Sequence, residues 1–124
     1  MLNLKFNYLI SDTSKKQKIS KLYDKFLSDK IAKPYFGCCK GVVHTFHRYV
    51  IRVKNRKKFL NFLKINRIEA KVHYEKNIHQ QSHFKKYLKK YQKLKNTENF
   101  SKQVVSLPIN QFLSRKQIFF AISK

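Results

Sequence analysis

The sequence predicts a small α/β domain, α+β-like in that a small sheet is covered by helices, and three patterns in its 124 residues carry that expectation. From Val43 onward, Thr45, His47, Tyr49, Ile51 and Val53 fall on one side of an extended segment. Phe46, Arg48, Val50 and Arg52 fall on the other, which is the two-residue period of a strand. Ile19, Leu22, Tyr23, Phe26 and Leu27 recur at i, i+3, i+4, i+7 and i+8, the apolar stripe of an amphipathic helix. Past Asn55 the period changes twice. Phe59, Leu60, Phe62 and Leu63 share a helical face, and then Ala70 and Val72 alternate with Lys71 and His73 toward Tyr74. Residues 44–74 therefore read as a strand–helix–strand unit, the returning strand forming a ribbon with the first, and the rest of the chain covers it.

Taken in order, residues 1–11 show no clean period and read as an extended arm, with residues 12–124 as a single domain. Asp12, Thr13 or Ser14 is placed to cap the first helix, whose Lys15, Lys18, Lys21 and Lys25 face outward. Lys33 to Gly41 is a connector, because Pro34, Gly37 and Gly41 interrupt either regular structure. The Thr45-to-Val53 side of the following strand is the one expected to be buried, and Asn55 stands at the N-cap of the next helix. A further helix over Lys85 to Lys95 would place Phe84, Leu88 and Tyr91 on a narrow apolar side. Lys85, Lys86, Lys89, Lys90 and Lys93 would crowd the other side and repel one another. A short helix from about Thr97 to Gln103 leads into a buried strand, VVSLPI, stopped by Pro108. Ser114 and Gln117 form a capping box that opens a last helix with Ile118, Phe119 and Ile122 inward.

The net charge of +23 points to a polyanion as partner. Its composition weakens that inference, since 24 of the 29 basic residues are lysine and only five are arginine, the residue whose forked donors suit phosphate. Lys, Asn, Ile, Phe and Tyr, all abundant here, can be encoded with A and T alone, so base composition accounts for much of the charge. No run of eighteen apolar residues and no signal-peptide pattern occurs, which predicts a cytoplasmic protein without membrane association. Cys38 and Cys39 are adjacent and read as free thiols. His44 and His47, three apart on a strand, point to opposite faces and cannot share a metal ion. His73 and His79 bracket a loop with only Glu75 nearby to complete a site. The sequence has no phosphate-cradling glycine loop, serine elbow or poised carboxylate pair, so a freestanding catalyst is not expected. One binding function stays open: a basic module for RNA or single-stranded nucleic acid, with Tyr87 and Tyr91 stacking on bases between lysines.

The stretch HTFHRYVIRVKNRKKFLNFLKINRIEAKVHYEKNIH resembles the start of the C-terminal domain of the DegT/DnrJ/StrS aminotransferases, pyridoxal-phosphate enzymes that aminate keto sugars on nucleotide carriers. The matching features are His44, His47, Tyr49, Ile51, Arg52, Arg56, Ile68, His73, Tyr74 and His79. The tail NTENFSKQVVSLPINQFLSRKQI is similar to the family's closing segment, including its Ser-Leu-Pro at Ser106, Leu107 and Pro108. At the front, KFNYLISD resembles the family's Gly-Tyr-Asn-Tyr-Arg-Met-Ser-Asp. The implied fold is the small C-terminal domain of a fold-type I aminotransferase.

The resemblance implies that the Schiff-base lysine, the aspartate facing the pyridine nitrogen and the main phosphate-binding groups belong to a large domain that these residues do not match. Pyridoxal phosphate is thus the family's cofactor but is not expected to bind this chain alone, which reads as a truncated or split C-terminal domain. By the same resemblance Asn7 matches an asparagine that reaches the cofactor phosphate of the neighbouring subunit, and His73, Tyr74 and His79 match a segment near the sugar-nucleotide entrance. The implied partner is a large-domain polypeptide or a second copy of the chain, with Phe6, Tyr8, Ile10, Tyr35 and Phe36 left poorly covered without it. The sequence departs from the family pattern at several turns: Leu9 replaces an Arg, Lys5 a Gly, Arg67 the Gly before Ile68, and Glu75 and Lys95 each a Pro.

Overall fold

The computed structural model describes residues 2–33, 41–87 and 93–124. Its elements are α1 (Leu2–Phe6), α2 (Leu9–Phe26), β1 (Tyr49–Arg52), α3 (Arg56–Ile65), α4 (Ser82–Lys85), α5 (Lys95–Gln103), β2 (Val104–Leu107) and α6 (Arg115–Ile122), with a 3₁₀ turn at Ile78–Gln80 before α4. The α+β class is as expected, and the sheet is antiparallel.

Strands β1 and β2 pair with Tyr49 opposite Leu107 and Ile51 opposite Val105. All four of those side chains are buried, and Tyr49, Ile51 and Val105 are wholly excluded from solvent. Among the described residues each edge of this pair is extended by one bridge. The Arg52 N–H donates to the Ala32 carbonyl at 2.9 Å, and Lys71 exchanges both backbone bonds with Ser106 at 3.1 and 2.8 Å. The spatial order is Ala32, β1, β2, Lys71. The expected ribbon of residues 43–53 with residues 70–74 does not form, because β2 lies between them. The physical reason is visible in β2, where all four residues are buried: a strand with no solvent-exposed side belongs in the centre, whereas the alternating segment around exposed Lys71 suits an edge.

The core gathers Ile19 and Tyr23 from α2, Phe46, Tyr49 and Ile51 around β1, Leu63 and Ile68 around α3, Val105 and Leu107 from β2, and Ile118 from α6. The α2 stripe therefore buries as its spacing predicts, except that Phe26 remains 44% exposed. Instead it meets Phe119 of α6 edge-on, with ring centroids 5.4 Å apart. Strand β1 is shorter than the pattern suggested. Phe46 adopts φ of 47°, a left-handed conformation that breaks the alternation, so Phe46 turns into the core while Thr45 and His47 turn outward. Asn55 caps α3 as expected, its Oδ1 accepting from the Lys58 N–H at 3.1 Å. Ser114 and Gln117 form both bonds of the capping box at the start of α6.

Three further expectations are corrected. Residues 2–6 and 9–11 are helical, not an extended arm, and α2 begins at Leu9 with no side-chain cap, so Asp12, Thr13 and Ser14 lie inside it. Leu4, Phe6, Tyr8, Leu9 and Ile10 nevertheless stay more than half exposed, so these turns are held by local backbone bonding rather than by burial. Of the helix expected over Lys85 to Lys95, the described residues Lys86, Tyr87, Lys93 and Leu94 are not helical, since α4 ends at Lys85 and α5 begins at Lys95. Repulsion between closely spaced lysines, with little apolar surface to offset it, disfavours helix at those positions. The connector residues Pro34, Tyr35, Phe36, Gly37, Cys38 and Cys39, and Leu88, Lys89, Lys90 and Tyr91, lie outside the described residues.

One polar contact ties α2 to the sheet. The Tyr49 hydroxyl donates to Asp24 Oδ1 at 2.6 Å, its ring 4.9 Å from that of Tyr23, whose own hydroxyl donates to the Pro108 carbonyl at 2.8 Å. Burial pushes the Tyr23 phenol up to about 12. Burial first, then the bond to and charge of Asp24, raise Tyr49 further. Both phenols ionise near 10 when unfolded, so their stabilisation is complete below that pH and is lost as pH rises through the folded values. Cooperative unfolding that follows tyrosine ionisation above pH ~10 is expected in parallel absorbance and circular-dichroism titrations. Tyr49→Phe is expected to lower stability by about 1.5 kcal/mol in urea unfolding, the value of a hydrogen bond to a charged acceptor. Asn55→Ala is expected to cost about 1 kcal/mol through loss of the α3 cap.

Candidate functional site

The end of β2 runs into Pro108 and Ile109 just where α3 hands over to the Lys71 edge, and α6 folds back across both. The space left between them is an open cleft of about 710 Å³. Apolar side chains, among them Ile109, Leu113 and Phe120, line part of it. The polar lining is cationic: Arg48 from the approach to β1, Arg67 and Lys71 from the segment after α3, Lys116 from the first turn of α6, and the imidazoles of His47 and His73. Glu69 is the one carboxylate among the described residues of the lining. It holds Lys71 Nζ at 2.8 Å, and that ammonium lowers the Glu69 carboxyl below its ordinary value.

The backbone explains why these cations converge. Helix α3 ends in a Schellman arrangement, with the Arg67 N–H bonding the Lys64 carbonyl and the Ile68 N–H bonding the Leu63 carbonyl, both at 2.9 Å. Arg67 occupies the left-handed position of that motif, at φ of 57°, where glycine is the usual residue. Ile68 is thereby buried and Arg67 turned to the cleft. His73 is half-buried, its Nδ1 2.9 Å from Ser106 Oγ on β2. Partial burial, then the charges of Arg48 and Lys71 and the neighbouring His47, hold its pKa below the ordinary imidazole value.

The residues singled out from the sequence do not all meet here. His73 lines the cleft, and Tyr74 lies beside it, edge-on with ring centroids 5.7 Å apart and 74% exposed. His79 faces another neighbour, with Nε2 3.4 Å from Glu98 Oε1 of α5. This pair forms part of a polar layer in which Asn77 Nδ2 donates to Ser101 Oγ at 3.0 Å. Asn7 sits exposed in the turn between α1 and α2, away from the cleft lining. Arg52 and Arg56, matched by resemblance, brace α5: Arg52 donates twice to Gln103 Oε1, at 3.3 and 2.9 Å, and Arg56 donates to the Ser101 carbonyl. His44 accepts the Phe46 N–H at 2.9 Å on Nδ1. Among the described residues no group of three His, Cys, Asp or Glu side chains could hold a metal ion, and no helix is long and apolar enough to cross a membrane. Tyr87 is exposed beneath Lys86 Nζ, 4.9 Å from its ring centre.

The cationic cluster of Arg48, Arg67, Lys71 and Lys116 escaped sequence reasoning because lysine and arginine are everywhere in this chain. The one signal that could have revealed it is Arg67 standing where the family pattern has glycine. The cleft residues do not by themselves fit pyridoxal phosphate. That group needs an amine in an enclosed site and an acid at its ring nitrogen, whereas Lys71 is largely exposed and the cleft's carboxylate is engaged by that same lysine.

The chain is 26% identical over 121 residues to a dTDP-3-amino-3,6-dideoxy-alpha-D-galactopyranose transaminase of Aneurinibacillus thermoaerophilus, covering 95% of this chain and 32% of that protein. It is 28% identical over 126 residues to a pleiotropic regulatory protein of Geobacillus stearothermophilus, covering all of this chain and 34% of the relative. The crystal structure of S. venezuelae DesV in complex with a ketimine intermediate superposes with a TM-score of 0.89 at 22% identity, over 98% of this chain and 33% of that one. The chain thus spans about a third of the length of the curated relatives it matches. The model of the DegT/DnrJ/EryC1/StrS aminotransferase family matches residues 1–122, and the chain belongs to that family.

Proposed function

We propose that the chain serves as the small C-terminal domain of an aminotransferase acting on nucleotide-linked keto sugars, and that it is catalytic only together with a polypeptide carrying the large, lysine-bearing domain. The observation that carries this is the family match over residues 1–122, which span about a third of the length of the relatives, one of which is named as a transaminase of a dTDP-linked amino sugar. The family is pyridoxal-phosphate-dependent. When bound, the cofactor supplies the electron sink for transfer of the amino group, and the lysine and acid that hold it come from the large domain. In the assembled enzyme Asn7 reaches the cofactor phosphate of a neighbouring subunit. His73 and Tyr74 border the sugar-nucleotide entrance, and His79, set against Glu98, shapes the loop that leads to it.

The exposed apolar residues of α1 and the start of α2 support a docking role. Phe6, Tyr8 and Ile10 are 63, 63 and 85% exposed, and burying them against a large domain would gain about 25 cal/mol per Å². Net charge opposes contact between copies, but this repulsion is screened beyond ~8 Å at physiological salt. Without the large domain the chain is expected to self-associate as salt rises. Sedimentation across a salt series tests this, and a clean monomer at high salt that binds no apolar dye would count against docking through this surface.

Pyridoxal phosphate titrated into the purified chain is expected to give no saturable visible absorbance and no single lysine labelled after borohydride. Transaminase turnover by the chain alone would overturn the reading. In a reconstituted complex with a large-domain polypeptide, Asn7→Ala is expected to weaken cofactor binding about tenfold, the loss of one charge-assisted hydrogen bond to phosphate. Unchanged affinity would remove Asn7 from that role.

A further inference from the structure

Only five arginines occur among 29 basic residues, and their distribution is selective. Arg52 and Arg56 brace α5, and Arg115 opens α6 with its guanidinium 5.5 Å from the Phe119 ring centre. The other two, Arg48 and Arg67, come from separate parts of the chain and line the same cleft. A lysine-biased composition does not produce that arrangement.

Arg67 also occupies its position at a cost. A left-handed φ of 57° is nearly free for glycine but disfavoured for any residue with a Cβ. A strained residue aimed into a cleft is the kind of outlier that points to use of its side chain. Around it, Lys71 and Lys116 add charge, the one carboxylate in the described lining is Glu69, and apolar Ile109, Leu113 and Phe120 limit hydration on one side. Forked guanidinium donors from two segments of the chain, a point charge and a partly apolar wall suit a compact polyanion better than a carboxylate alone.

We propose that this cleft is an oxyanion-binding site for a phosphoryl or pyrophosphoryl group, with Arg48 and Arg67 gripping its oxygens and Lys71 exchanging Glu69 for the ligand. His73, which the proposed function sets at the sugar-nucleotide entrance, lines this cleft, so the inference rests on and deepens that reading, and neither pyridoxal phosphate nor a large domain is needed to test it. His73 is its internal reporter. Its ring is faced by Arg48 and His47 from the approach to β1, by Lys71 of its own segment and by Ser106 of β2, with Glu69, Arg67 and Lys116 around the same cleft. An incoming dianion favours the imidazolium, and its binding raises the His73 pKa.

The test is a titration of the full chain with inorganic pyrophosphate and, separately, phenyl phosphate, at low salt against chloride of matched ionic strength. It is followed by calorimetry and by the His73 ring resonances. One saturable site and an upward shift of the His73 titration are expected. Tighter binding of phenyl phosphate would assign the natural ligand to a phosphate ester seated on the apolar wall, and tighter binding of pyrophosphate to the free polyanion. Arg67→Gly carries the decision, because it is expected to raise Tm by about 4 °C while weakening binding at least tenfold. Arg67→Lys retains the strain and part of the affinity, and Arg48→Gln loses at least tenfold without the gain in Tm. Lys57→Gln and Lys102→Gln, outside the cleft lining, should change binding less than twofold. Wild-type affinity in Arg67→Gly and Arg48→Gln, or equal losses in the two remote lysine variants, would reduce the effect to bulk charge and overturn the proposal.

Discussion

The fold depends on the pairing of β1 with β2. These two short strands place Tyr49, Ile51, Val105 and Leu107 side by side, and every helix of the core contributes a side chain against them: Ile19 and Tyr23 from α2, Leu63 from α3 and Ile118 from α6. Among the described residues neither strand has another full partner, each outer edge gaining a single bridge. The polar end of Tyr49, reaching Asp24, fixes how α2 lies across the pair, and the Tyr23 hydroxyl fixes the chain where it leaves β2 at Pro108. Buried hydroxyls with partners thus give orientation to a layer that apolar contact alone would leave free to slide.

Much of this was legible in the sequence where a repeating pattern or a capping residue was in play. The stripe Ile19-to-Leu27, the cap at Asn55, the box at Ser114 and Gln117, and the buried strand expected over VVSLPI each correspond to an observed feature. What could not be read was the partner of each strand. Period tells which side of a strand is apolar but not which strand lies beside it, so the pattern joins residues 43–53 to residues 70–74 where the structure sets β2 between them. Phe46 shows a second limit. Its positive φ reverses the faces upstream of β1, and nothing in the surrounding residues advertises a left-handed phenylalanine. At the front, a segment of mixed apolar and polar residues without periodicity reads as extended, yet local backbone bonding makes it helical.

The site divides in the same way. Resemblance pointed to His73, which lines the cleft, to Tyr74, which follows it outside the lining, and to His79, which pairs with Glu98 instead. The cations around His73 come from three places in the chain, before β1, after α3 and within α6. In a chain this basic, no local motif separates a lysine that lines a cleft from one that faces water. Arg67 is the exception, since a residue with a side chain at a position built for glycine is conspicuous even before its surroundings are known.

The distance in sequence between the paired strands bears on how the chain is made. Tyr49 meets Leu107, so more than a third of the chain must be synthesised between the two halves of the sheet. Helices α2 and α3 rest on local bonds and can form as they emerge, but β2 is made long after β1. Until then Tyr49 and Ile51 lack the strand they pair with, and the apolar sides of α2 and α3 lack Val105 and Leu107 to pack against. The segment after Leu107 carries α6 and with it part of the wall of the cleft, so the sheet closes and its site appears in nearly the same step. Before β2 is made, the surface of the residues that precede it is that of a partly formed core.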